Sequence, residues 1–99
     1  MSYLAFCTFD LKNASSQDYK NAYADLEEIG LRKVQKSKKG GDIVIPTTSA
    51  MGAFKGSSSG EVRDYVRDEV KAAFAARKFT SEIFVAVGEN WAWGAAATT

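Results

Sequence analysis

The chain has 99 residues, 45% of them apolar and 25% charged, with a formal net charge of only +1, which is the size and make-up of one globular domain. The absence of histidine excludes Ser-His and Cys-His nucleophile systems, the single cysteine, Cys7, excludes an internal disulfide and a Cys-based zinc site, and no apolar run is long enough to span a bilayer. Met1-Ser2-Tyr3 runs straight into a strand-like segment with no basic n-region, so a cytoplasmic, reducing location is expected.

Tyr3-Leu4-Ala5-Phe6-Cys7-Thr8-Phe9 is apolar or aromatic at nearly every position, the pattern of a central strand covered on both faces. Asp10 follows directly. A carboxylate at the carboxyl end of such a strand sits where sheets take ligands and offers the hard oxygen donor that Mg²⁺ or Mn²⁺ requires, although the same residue also serves to cap the turn into Lys12-Asn13. Beyond Ser15 as a helix cap, Tyr19, Ala22, Tyr23, Leu26 and Ile29 recur at helical spacing, and Gly30 closes the helix.

Leu31–Lys36 reads as a polar edge strand, Lys38-Lys39-Gly40-Gly41 as a turn, and Ile43-Val44-Ile45 as a short third strand ended by Pro46. Arg32, Lys33, Lys36, Lys38 and Lys39 fall between residues 31 and 41 with no acid among them. Cations so grouped neutralise phosphates, and Gln35 and Ser37 add neutral hydrogen bonds to a nucleic-acid backbone; equally, lysines on an edge strand guard it against aggregation.

Residues 46 to 59 are expected to form a long loop. At its end Lys55-Gly56-Ser57-Ser58-Ser59-Gly60 suits either a backbone nest for an anion or a well-capped flexible connection. Ser58 and Glu61 then open a second helix as a capping box, with Val62, Tyr65, Val66, Val70, Ala73 and Phe74 marking its apolar face as far as about Lys78. Ile83–Val87 is a fourth strand. Trp91 and Trp93 follow it, able to stack on a base but preferred as residues packed on the sheet or a neighbouring subunit.

The order is therefore βαββαβ in one domain over residues 1–99, an α+β ferredoxin-like fold in which right-handed crossovers lay both helices on one face of a four-stranded antiparallel sheet. Because the first and last strands are apolar on both faces, the other side of the sheet is expected to be covered by a partner, most simply in a homodimer.

Phe9-Asp10-Leu11, Tyr19-Lys20-Asn21-Ala22-Tyr23-Ala24-Asp25-Leu26 and Gly30-Leu31-Arg32-Lys33-Val34-Gln35-Lys36-Ser37 resemble the virulence-associated protein D (VapD) family and, more distantly, the small CRISPR-associated ferredoxin-like nucleases. The likeness covers about the first third of the chain, and Lys38-Lys39-Gly40-Gly41 stands where those families have apolar or aromatic strand residues. The resemblance implies a metal-dependent nuclease, or a descendant of one, that dimerises through its sheets, with Asp10 as the strand-terminal carboxylate and Gln35 and Ser37 as the Gln-x-Ser element. On that reading the protein is a VapD-like endoribonuclease or RNA-binding protein. Asp10 would hold Mg²⁺ or Mn²⁺, Ser37 would orient a phosphate, and Arg32, Lys33, Gln35, Lys36 and Lys38 would bind the RNA. The residues give no obvious second metal ligand. The competing reading is a non-catalytic homo-oligomeric interaction module that works through the apolar sheet face together with Trp91 and Trp93.

Overall fold

Strand β1 (Ser2–Leu11) alternates along its whole length: Tyr3, Ala5, Cys7, Phe9 and Leu11 are buried, while Phe6 and Asp10 face solvent. The computed structural model describes residues 1–98, and in it this alternation separates a covered side of the sheet from an open one. Helices α1 (Ser16–Ile29) and α2 (Ser59–Ala76) pack on the covered side, where Ala22, Leu26, Val62, Val66, Val70 and Phe74 join the odd-numbered residues of β1 in one core. Full burial of each large apolar side chain there contributes about 1.5–3 kcal/mol.

Both helices begin at serines. Ser15 Oγ accepts the Asp18 N–H and the Asp18 carboxylate accepts the Ser15 N–H, a complete capping box, and α1 ends on Gly30, whose φ of 116° favours a residue without Cβ. Ser58 caps α2 through the Glu61 N–H, but the Glu61 carboxylate accepts from the N–H and hydroxyl of Ser57 instead of completing the box on Ser58. Arg77, just past α2, donates to both oxygens of Asp25 at 2.6 and 2.9 Å and so ties the end of α2 to α1.

The result is a small α+β fold whose antiparallel sheets have three and two strands. The larger has the order β4 (Ser49–Lys55), β1, β5 (Ser81–Gly88), and the smaller is the hairpin of β2 (Val34–Lys36) with β3 (Asp42–Val44). This corrects the expected four-stranded arrangement in two places. The strand beside β1 lies within the stretch expected to be a loop, and Ile43-Val44-Ile45, expected in the main sheet, gives its first two residues to the hairpin.

The physical reason is close packing. Ala50-Met51-Gly52-Ala53 is poor in β-branched residues and so lacks the usual strand signal, yet Gly52 lies so near the end of α1 that a Cβ there would sit 1.9 Å from the Gly30 carbonyl oxygen. Small residues are what this contact demands. Among the described residues, the segment after α1 pairs with β4 at one position: the Arg32 N–H donates to the Met51 carbonyl at 2.9 Å and the Met51 N–H to that of Arg32 at 3.0 Å. Beyond Arg32 the chain leaves the sheet as the hairpin. Among the described residues no helix is long and apolar enough to cross a membrane.

Candidate nucleic-acid interface

The turn between β2 and β3 is built by Ser37 and two glycines. Ser37 N–H donates to the Gly41 carbonyl at 2.9 Å, Gly40 N–H to the Ser37 carbonyl at 3.0 Å, and Gly41 N–H to Ser37 Oγ at 3.2 Å; Gly40 has a φ of 89°, in the left-handed region. Ser37 thus shapes the turn that presents Lys38 and Lys39. Lys36 reaches Asp42 across the hairpin at 3.3 Å, whereas among the described residues Lys38 and Lys39 form no ion pair.

The facing wall comes from the other end of the chain. The hairpin departs from β4 and the C-terminal segment from β5, the two edges of the three-stranded sheet, and they meet around a cleft of about 470 Å³. Lys36, Lys38 and Lys39 line one side; Trp91 and Trp93, 41% and 37% exposed, line the other. The two tryptophans lie outside the core cluster.

Of the residues singled out from the sequence, Lys36, Ser37 and Lys38 are gathered at this cleft. Asp10, Arg32, Lys33 and Gln35 are not among its lining. The Gln35 amide donates to the carbonyls of Arg32 at 2.7 Å and Met51 at 3.0 Å, so it fastens the hairpin to β4. Lys33 Nζ lies 4.6 Å from the centre of the Tyr23 ring, a cation–π contact with α1. Arg32 contributes the backbone bridge. Lys39, Trp91 and Trp93 belong to the cleft, but some fifty residues separate the lysines from the tryptophans and no spacing rule joins them.

Asp10 lines a different cleft, an open one of about 410 Å³ shared with Glu82 and Phe84. It pairs across the strands with Glu82, and Lys12 Nζ lies 2.9 Å from Asp10 Oδ2 and 3.0 Å from Glu82 Oε1. Those contacts, to Asp10 first and Glu82 second, hold the Lys12 ammonium well above the usual lysine range. Glu82 is the second carboxylate that sequence reasoning missed, and only the β1–β5 register reveals it. Among the described residues no group of three or more His, Cys, Asp or Glu side chains could hold a metal ion, and the Lys12 ammonium lies between the Asp10 and Glu82 carboxylates.

The Ser-rich loop ahead of α2 is likewise occupied from within. The Glu61 carboxylate takes the Ser57 hydroxyl and N–H, contacts that hold its carboxyl below the usual range. No protein-family model matches the chain, and no curated protein matches it.

Proposed function

We propose that this protein binds RNA, gripping backbone phosphates with the turn of hairpin β2–β3. The observation that carries the reading is that Lys38 and Lys39, without ion pairs among the described residues, form one wall of a cleft whose other wall is aromatic. Unpaired ammonium groups release counterions when they meet phosphates, and the resulting affinity is independent of base sequence. The VapD-like resemblance points the same way. A ferredoxin-like reading is supported by helices on one face and β1 flanked antiparallel by β4 and β5, with the Arg32–Met51 bridge as what a fourth strand reduced to one residue pair would leave.

Binding ranks ahead of cleavage in this proposal because Asp10 and Ser37 line different clefts and Lys12 competes for the Asp10 carboxylate. Fluorescence anisotropy of a labelled RNA across a salt series tests it. Lys38→Ala with Lys39→Ala should weaken binding to every sequence and reduce the slope of log affinity against log salt by about 1.4, at roughly 0.7 per single-strand phosphate contact. Asp10→Asn should leave binding intact, and a divalent-dependent cleavage lost in that variant would restore the endoribonuclease reading with Mg²⁺ or Mn²⁺. Wild-type protein that binds no RNA at low salt would leave the second reading, the interaction module, which is favoured by Phe84, 64% exposed beside Phe6 on the open face.

A further inference from the structure

Lysines alone do not distinguish duplex from single strand, since both present phosphates. The opposite wall of the cleft does. Trp91 and Trp93 stand two residues apart, outside the core, partly exposed and lining the cleft, so indole surface is presented to whatever enters it. An indole face pairs with another flat aromatic surface, and a nucleic acid offers one only where its bases are unpaired and splayed from the stack. A cleft of about 470 Å³ also falls in the size range of small-ligand sites.

Resting on the RNA-binding reading, we infer that this cleft takes an unpaired nucleotide, its base stacked on Trp91 or Trp93 and its phosphate at Lys38 and Lys39, so that the protein selects single-stranded polynucleotide with little regard for sequence. A cleft lined by both ammonium groups and indole rings matches a ligand that is itself part anion and part ring. Lys36, shared with Asp42, contributes less.

The chain has two tryptophans and both line the cleft, so its intrinsic fluorescence reports on this site directly. Titration with oligo(rA) should quench it, and a blunt RNA duplex of equal length should bind more weakly and leave the emission unchanged. Trp93→Ala should weaken oligo(rA) binding by about 10-fold, within the range measured for loss of one base–aromatic stack, while Trp93→Phe restores most of it. Quenching by oligo(dA) of similar strength would support stacking with no reading of the ribose. Equal binding of oligo(rA) and duplex without quenching, still sensitive to Lys38→Ala, would overturn the stacking inference and leave the backbone reading standing. No binding of either at low salt would overturn both, and quenching by an acidic peptide in that case would make the cleft a protein-docking site.

Discussion

Glu61 and Lys12 each fill from within the chain a place that the sequence marks for a ligand. The first puts a carboxylate on the Ser57 N–H where an anion was one possible occupant, and the second puts an ammonium between Asp10 and Glu82 where a cation was. A ligand at either place must displace a group held at hydrogen-bond distance, whereas one at Lys38 and Lys39 displaces only water and counterions. Cys7 illustrates a residue whose environment is set by burial alone. It is fully buried in the core, and desolvation pushes its thiol from about 9.0 up to about 11. The sign follows from proton counting. Below pH 9 both folded and unfolded chains keep the thiol proton; between about 9 and about 11 the unfolded chain loses it first, so stability falls as pH rises through that window. By pH ~10.5 the loss amounts to ~2 kcal/mol. Tyrosines titrate there as well, so the check is a urea-denaturation series at pH ~8 and ~10.5 on wild type and Cys7→Ala. The alkaline loss should be smaller in the variant by that amount, and an identical loss would mean that the thiol is not desolvated.

At the level of elements, the helices were legible because their signals are local. Ser15 with Asp18, Gly30, and the spacing of Val62, Val66, Val70 and Phe74 depend on neighbours within a few residues, and each has the role that the spacing assigns. Tyr65 departs from the pattern, lying half-exposed against Phe54 at the edge of the packed face. Strand β4 was not legible, because its small residues answer to a distant element, the end of α1, and mimic a loop when read alone. The hairpin was displaced from its expected place for a related reason. Val34, Val44 and the lysines around them offer the main sheet little to bury, so the segment pairs with itself and is held to β4 by the Arg32 bridge and by Gln35. From this anchoring, Gln35→Ala should loosen the hairpin without unfolding the core. Hydrogen exchange should speed up at the Ile45 amide, which donates to the Lys33 carbonyl, while the amides of β1 keep their protection. Equal loss of protection in β1 would show that the hairpin is an integral part of the cooperative core and not an appended element.

For the whole molecule the question is what lies against the open side of the sheet. The register brings Leu4, Phe6, Phe84 and Ala86 onto this one side, between Asp10 and Glu82 at one end and Lys55 at the other, while Met51 shares the side but is already buried within the chain. Two-sided hydrophobicity of β1 and β5 was legible in the sequence, because an unbroken apolar run puts apolar residues on both faces of a strand whatever its neighbours are. The cleft was not, since it depends on two segments leaving opposite edges of the sheet and converging. An apolar face with one end where Asp10 and Glu82 share the single ammonium of Lys12 and so stay net negative, and with Lys55 at the other, is self-complementary under a two-fold axis across the strands, which sets the acidic end of one copy towards the lysine of the next. A homodimer through this face is therefore expected at micromolar concentration. Sedimentation equilibrium should give twice the chain mass for the wild type and the single-chain mass for Phe84→Asp, because a two-fold contact buries the introduced carboxylate twice. Phe84 is solvent-facing in the single chain and outside the core, so the variant should keep its helical circular dichroism and its urea midpoint under dilute, monomeric conditions. A wild-type mass of one chain at the highest soluble concentration would remove both the dimer and the interaction-module reading that depends on it. RNA binding would survive that result, because the lysine turn and both tryptophans of its cleft come from one chain.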